Sequence, residues 1–417
     1  MELDFNNARE YNAGSLSLDG LTEGARTETA RLFVGVDACE VDNYIKSLQE
    51  GGYSVVYDRK IEGQRYVSLS SAEGLIHLSN YDDGSLIVTR ELNAISTEEL
   101  SYTSKECGSA AFYMYGVNMD PGGYNPSLDF SKEDNTSGFV NCGMLLAIRS
   151  SDDSIIVIDG GKASQFPGGG IPTLNRFLHK IARKSLGEVV RISAWFISHA
   201  HDDHYEGFAA MLDRYHEQYN LERIISNFPE RKVASFPKKF PLVVETVRAH
   251  FPDVIDYKAH TGDVITLGDV RLNVLYTHEN TLNDAASTLV EDYNDTTTVI
   301  RADVGDMRVM ILGDISELAE ERIVGYYTSE TLRSDIVQVA HHNFNHLVKI
   351  YEPICAPIAC FTQTLEGTRK NESTRSNAKP VLETSKEFYY NGDITKTVGF
   401  AMVDGKVAKT FSYPDMI

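Results

Sequence analysis

Long apolar runs are missing from this 417-residue chain. No stretch of about 18 or more hydrophobic residues occurs, so nothing in it reads as a membrane-spanning helix. Cysteine is scarce and unpatterned. Cys39, Cys107, Cys142, Cys355 and Cys360 show no Cys-x-x-Cys spacing, so they suggest neither a thiolate metal cluster nor a disulfide framework and read as small buried hydrophobes. Positive charge is also short: 39 Lys and Arg stand against 60 Asp and Glu, for a formal net charge of −21. Sequence-independent capture of a polyanion works by neutralising its phosphates, so long nucleic acid is not an expected partner. The opening residues Met1-Glu-Leu-Asp-Phe-Asn-Asn have neither the basic patch nor the apolar core of a signal peptide, which makes a cytoplasmic location the expectation, with secretion the alternative if a leader has been trimmed.

The remaining composition, 42% hydrophobic and 24% charged, is that of a globular protein, and the length suggests one large domain plus a smaller one. From Ala30 the pattern predicts a strand (31–36), a helix (40–49) and a meander of short strands to Thr89, punctuated by Gly63, Gly74 and Asp83-Gly84. This is a small α+β unit, residues 1–98, with no cluster of histidines, cysteines or carboxylates. Polar residues 93–108 read as a linker. Beyond it, residues 108–417 alternate strands (143–148, 154–158, 192–197, 223–226, 264–267, 270–275, 297–302, 308–312, 336–339) with helices (171–184, 207–219, 242–251, 317–326), an α/β layered pattern.

Directly after the apolar run Ile192-Ser-Ala-Trp-Phe-Ile197 comes Ser198-His199-Ala200-His201-Asp202-Asp203-His204, the pattern His-x-His-x-Asp-His. With 12 histidines in the chain, a chance match is on the order of one in a thousand. In extended backbone His199 and His201 point the same way and can grip one metal, while Asp203 and His204, in the turn beyond, can face a second. Three further strand ends carry candidates: Ile155-Ile-Val-Ile-Asp159, Val309-Met-Ile-Leu-Gly313-Asp314 and Ile336-Val-Gln-Val-Ala-His341-His342.

In this order and placement the residues resemble the metallo-β-lactamase superfamily from about Phe112 to Phe411. The resemblance implies an αββα sandwich preceded by the small α+β domain. It also implies one or two divalent metals, zinc first, with manganese or iron as alternatives. His199 and His201 would hold the first; Asp203, His204 and one of His341 and His342, with His342 favoured, the second; and Asp314 would bridge them. Asp159 takes a structural role next to the ligands. Within the superfamily the chain looks most like the soluble hydrolase domain of the DNA-uptake competence channel protein and its free-standing relatives, which share the His-His pair and an Asn-rich Ser/Thr segment, here Asn294-Asp295-Thr296-Thr297-Thr298. Two departures stand out: Asn294 replaces a third metal-binding histidine, and Asn343 follows the His pair where the relatives have glycine. An amide is a poorer zinc ligand than imidazole, which leaves His278 as an alternative third donor for the first metal, although a loop residue is its plainer reading.

The chemistry so implied is hydrolysis by hydroxide held between metals, with Asp203 steering a proton and Asp314 bridging. The expected partner is a small or medium-sized substrate: a phosphodiester first, with thioester, lactone, amide or lactam bonds as alternatives. A metal-binding or sensor protein with little turnover is the rival reading. Three other features read as loops: Gly168-Gly169-Gly170, a possible phosphate cradle; the basic segment Arg369, Lys370, Arg375 and Lys379, alternatively an anion-binding patch; and the acidic stretch 279–295, a potential lid.

Overall fold

A computed structural model describes residues 9–15, 28–92, 95–104, 108–117, 143–163, 170–227, 240–281, 293–363, 365–370, 372–392 and 394–416. Gly168, Gly169, Cys107, Cys142 and most of the acidic stretch, 282–292, lie outside them. Three sheets organise the chain. Two of them face each other, with helices outside each, and this is the αββα layering expected above.

The first sandwich sheet runs, in spatial order, Ile255–Lys258, Arg223–Ser226, Val190–Phe196, Ile155–Asp159, Leu145–Arg149, Ala111–Met114, Val398–Val403 and Lys406–Ser412, with Tyr219–Leu221 beside Val190–Phe196. The second runs Val264–Leu267, Val270–Tyr276, Val299–Val304, Met307–Ile311, Ile336–Gln338, Ile358–Phe361 and Glu387–Tyr390. Apolar residues alternate sides along each strand, as the period of two requires. Ile156, Ile158, Ala194 and Phe196 meet Leu272, Ile300, Val309 and Ile311 between the sheets. Val157 and Trp195 face outward onto Phe177, Leu178, Phe208 and Met211 of the helices Gly170–Ile181 and Asp202–Tyr215.

Parallel pairing is what places the site. Ile155–Asp159 and Val190–Phe196 run parallel, as do Met307–Ile311, Ile336–Gln338 and Ile358–Phe361. The carboxyl ends of these strands therefore bring Asp159, His199, Asp314, His342 and Thr362 out along one edge of the sandwich, where parallel sheets offer loops for chemistry.

The third sheet has six strands in the order Arg9–Ser15, Glu28–Val34, Ser85–Glu91, Gly74–Asn80, Gln64–Ser71, Ser54–Ile61. The first of these was not expected from the sequence. Helix Ala38–Glu50, closed by an Asp37/Glu40 capping box, covers one face. The other face lies against the sandwich, where Tyr66 and Tyr327 share a buried hydroxyl contact of 2.6 Å. Nor is the expected linker a free tether: Ser96 caps a turn of helix whose Leu100 is fully buried, and Arg223 donates to the Leu100 carbonyl. Polar composition concealed this, because the capping residues are themselves polar.

Other sequence expectations are corrected. Cys360 is buried but Cys39 and Cys355 are exposed. The basic segment forms helices, Leu365–Lys370 and Glu372–Thr384, and Glu279, at the start of the supposed exposed loop, is buried. Among the described residues no helix is long and apolar enough to cross a membrane.

Candidate metal centre

The His-x-His-x-Asp-His segment straddles a strand end and a helix start. The helix begins at Asp202, five residues before the sequence-based start at Gly207, with His201 at its N-cap. Asp203 and His204 therefore occupy the first helical turn, where carboxylates interact favourably with the helix dipole. His204 lies on the stripe that continues through Phe208, Met211 and Leu212, all buried, which turns its ring inward.

Two groups of donors converge there: His199, His204 and Asp314 form one, Asp203, His204 and His342 the other, each with its ligand atoms within 4.8 Å of one another. Asp314 Oδ2 stands 3.2 Å from His204 Nε2, 3.2 Å from His342 Nε2 and 3.9 Å from His199 Nε2. Asp203 Oδ2 is 3.3 Å from His342 Nε2. His201 joins through its Nδ1, 3.1 Å from His199 Nε2. The structure thus places His199, His201, Asp203, His204, Asp314 and His342 together.

The remaining candidates point elsewhere. His341 Nε2 meets the Asn294 amide nitrogen at 3.2 Å. His278 is buried, and its Nε2 lies 2.6 Å from Asn227 Oδ1. Burial and Lys258 push its pKa down to about 3, so the neutral ring donates that bond. It belongs to neither donor group.

Asp159 ends its strand at φ 59, fully buried. Its Oδ1 accepts the Ser198 N–H at 2.7 Å, and its Oδ2 accepts the Ser198 hydroxyl at 2.7 Å and His204 Nδ1 at 2.6 Å. His204 Nδ1 is thereby the protonated nitrogen, leaving Nε2 to face the cluster. Ser198, having donated its proton, accepts from His199 Nδ1 at 3.1 Å, which turns that Nε2 inward as well. On the opposite side Thr362 takes His342 Nδ1, with its carbonyl at 2.9 Å. Three imidazoles are thus held with the same nitrogen inward.

Backbone strain completes the wall. His341, His342 and Asn343 all have left-handed φ, 45°, 48° and 65°. Such conformations cost energy in non-glycine residues and concentrate at functional sites. Asparagine tolerates this region better than most residues do, which suits it to position 343. Gly313 sits at φ 54, and a Cβ there would come within 2.5 Å of the Thr297 methyl, so only glycine lets Asp314 reach the cluster. Sequence reading missed the brace beneath it. Gln338 accepts from Leu312 N and Gly313 N (2.9 and 2.7 Å) and donates to Gly313 O (3.1 Å). A buried glutamine in a short apolar strand was the available signal.

Charge follows from the crowding. Burial opposes a charge on His204, yet Asp314, Asp159 and Asp203 hold its proton well above the usual imidazole range. His342 behaves likewise between Asp314 and Asp203. Burial and His204 push His199 well below that range. Burial works against ionisation of Asp314 too, but His204 and His342 keep it an anion. Asp314 Oδ1 is buried without a hydrogen-bond partner. Ionised carboxylates, inward nitrogens and an orphaned carboxylate oxygen in one buried cluster fit a divalent cation of the zinc, manganese or iron type.

No family model matches the chain and no curated protein matches it. Among solved structures it is similar to CmlA, a diiron β-hydroxylase from Streptomyces venezuelae, at 10% identity and a TM-score of 0.31 over 70% of this chain and 48% of that one. It is also similar to Tm1679, a metal-dependent hydrolase of the β-lactamase superfamily, at 13% identity and a TM-score of 0.35 over 68% of this chain and 97% of the other. The chain spans about half the length of the first. Likenesses of this strength carry nothing about chemistry, which rests on the cluster itself.

Proposed function

We propose that the chain is a metal-dependent hydrolase of the metallo-β-lactamase superfamily. The observation that carries this reading is the single atom Asp314 Oδ2, set among His199, His204 and His342 at the meeting of the two donor groups. His199, His201 and Asp314 would hold one cation, and Asp203, His204, His342 and Asp314 a second. Bound there, divalent metal supplies Lewis acidity and lowers the pKa of water towards neutrality.

The chain's own residues do the rest. Asp159, through Ser198 and His204, fixes which nitrogens face inward, and Thr362 does so for His342. Asp203, with 16% of its side chain exposed, is the carboxylate placed to take a proton from attacking water at Oδ2. Phosphodiester cleavage leads, supported by the resemblance of the His341-His342 pair and the Asn294 segment to the competence-protein branch; hydrolysis of thioester, lactone, amide or lactam bonds follows. The division into an accessory unit, residues 1–98, and a hydrolase unit, residues 108–417, belongs to the same proposal, as does a cytoplasmic location. The test is turnover of a generic phosphodiester and a lactam by metal-loaded protein. Phosphodiester turnover that is lost with chelator is expected, whereas metal retention with no turnover of either would favour a sensor.

Asn294 makes the first position the weaker one. Chelator titration is expected to release metal in two steps, and Asn294→His to strengthen the weaker step by about tenfold or more, as imidazole replaces an amide. One step with two equally tight metals would mean that another group completes the first position.

A further inference from the structure

The inner face of the N-terminal sheet carries, beside apolar residues such as Leu32 and Ile87, polar side chains that are buried. Tyr57, His77, Ser79, Thr89 and Glu91 are all under a tenth exposed. A sheet face of this kind gains its fit from hydrogen bonds, and here they go to two sandwich loops, 259–263 and 277–281. His77 Nε2 lies 2.9 Å from the Thr261 carbonyl, and the Tyr57 hydroxyl donates to Asp263 at 2.7 Å. Gly262, at φ 94, lets the loop lie flat on Tyr66: a Cβ would come 2.2 Å from the ring.

At the centre His260 bridges the two units. Its Nε2 is 3.0 Å from Glu91 Oε1 on the N-terminal sheet, and its Nδ1 is 2.8 Å from Glu279 Oε1, with all three side chains at most 3% exposed. A ring with both nitrogens against carboxylate oxygens satisfies both as a two-donor imidazolium. Glu279 sits in the turn His278–Thr281, which packs against the turn Tyr293–Thr296, and Asn294 of that turn touches His341.

We propose that the N-terminal sheet is a positioning element of the site. Glu91, through His260 and Glu279, sets the Asn294 turn beside the donor cluster, and the junction loosens at alkaline pH. The site meant is that of the proposed hydrolase, but the coupling is mechanical and can be read without activity. The groups facing His260 are Glu91, Glu279 and Asp263, which accepts its backbone N–H at 2.8 Å, together with the ring of His77 stacked at 4.8 Å. Tyr57 and Tyr257 cover Asp263, and Lys258 and His278 lie beside Glu279.

Burial works against a charge on His260, but Glu279 and Glu91 hold its proton well above the usual range. A raised folded-state pKa gives stabilisation that is complete below the unfolded value of about 6.5 and is lost as pH rises through the folded one. Glu279 is held low by His260 against its burial, so it remains ionised in mild acid.

The test is hydrogen–deuterium exchange of the full chain across about pH 6 to 10, corrected for intrinsic rates. In the native protein, exchange at 277–281 and 293–298 is expected to be slow near neutrality and to step up in the alkaline range. Glu91→Gln, nearly isosteric, should move that step down by about one pH unit or more and raise exchange at 293–298 about tenfold just above neutrality, with the helix Asp202–Tyr215 unchanged. His260→Gln should abolish the step. Loosening of the N-terminal strands alone in Glu91→Gln would overturn the proposal, and so would a step that survives in His260→Gln. The second variant decides the matter even if the first fails to fold. Failure of the hydrolase reading would instead appear as absent metal or turnover, with these exchange results unaffected.

Discussion

Asp314→Ala is expected to lose bound metal from both positions, to below roughly 0.1 equivalents, and to lower hydrolysis by about 10³-fold or more. The reason is geometric. Asp314 Oδ2 lies within 3.2 Å of His204 Nε2 and His342 Nε2 and within 3.9 Å of His199 Nε2, so one carboxylate lies against histidines of both donor groups. Removing it takes away the anion between the two groups, leaving the first with imidazoles alone and the second with Asp203 as its carboxylate. His201→Ala provides the contrast: His201 lies against His199, which is assigned to the first position, so this variant should empty that position and spare the second. Elemental analysis of the purified variants, with circular dichroism as a control for folding, reads both. Full metal retention by Asp314→Ala would remove Asp314 from the site.

Asp159→Asn is expected to weaken metal affinity by about 10- to 100-fold although Asp159 need never touch the metal. Its two oxygens take three donors, Ser198 N–H, Ser198 O–H and His204 Nδ1–H. An amide offers one oxygen. Its NH₂ must then face a donor or reverse the His204 tautomer, putting the proton on the nitrogen that should bind metal. A buried donor left unpaired costs about 1–3 kcal/mol, so the melting temperature should fall as well. Competition with a chelator measures the affinity and a thermal melt the stability. Unchanged affinity with lowered stability would show that Asp159 supports the fold without orienting His204.

How much of this could be read in the sequence depends on whether a feature has a period or spacing. Strands such as Arg223–Ser226 and Val264–Leu267 carry their own apolar pattern and fall where it places them. The cluster residues His199, His201, Asp203, His204 and Asp314 were visible because each follows an apolar strand. Ser198, Gln338 and Thr362 were not: single polar residues that orient a ligand have no spacing to betray them. The helix start at Asp202 was hidden because the polar motif itself forms the first turn. Glu91, His260 and Glu279 come from distant parts of the chain, so only the docked sheet reveals that they meet. The buried Leu100 turn was hidden for a similar reason, since it packs on strands that follow it in the chain.

Elemental analysis of the native protein, purified without chelator and then offered zinc, manganese and iron in turn, tests the central claim most directly. One to two equivalents of a divalent metal per chain, lost in Asp314→Ala, is the expected result. A chain that carries none and takes up none from any of the three would mean that protons and carboxylates alone fill this cluster, contradicting the account.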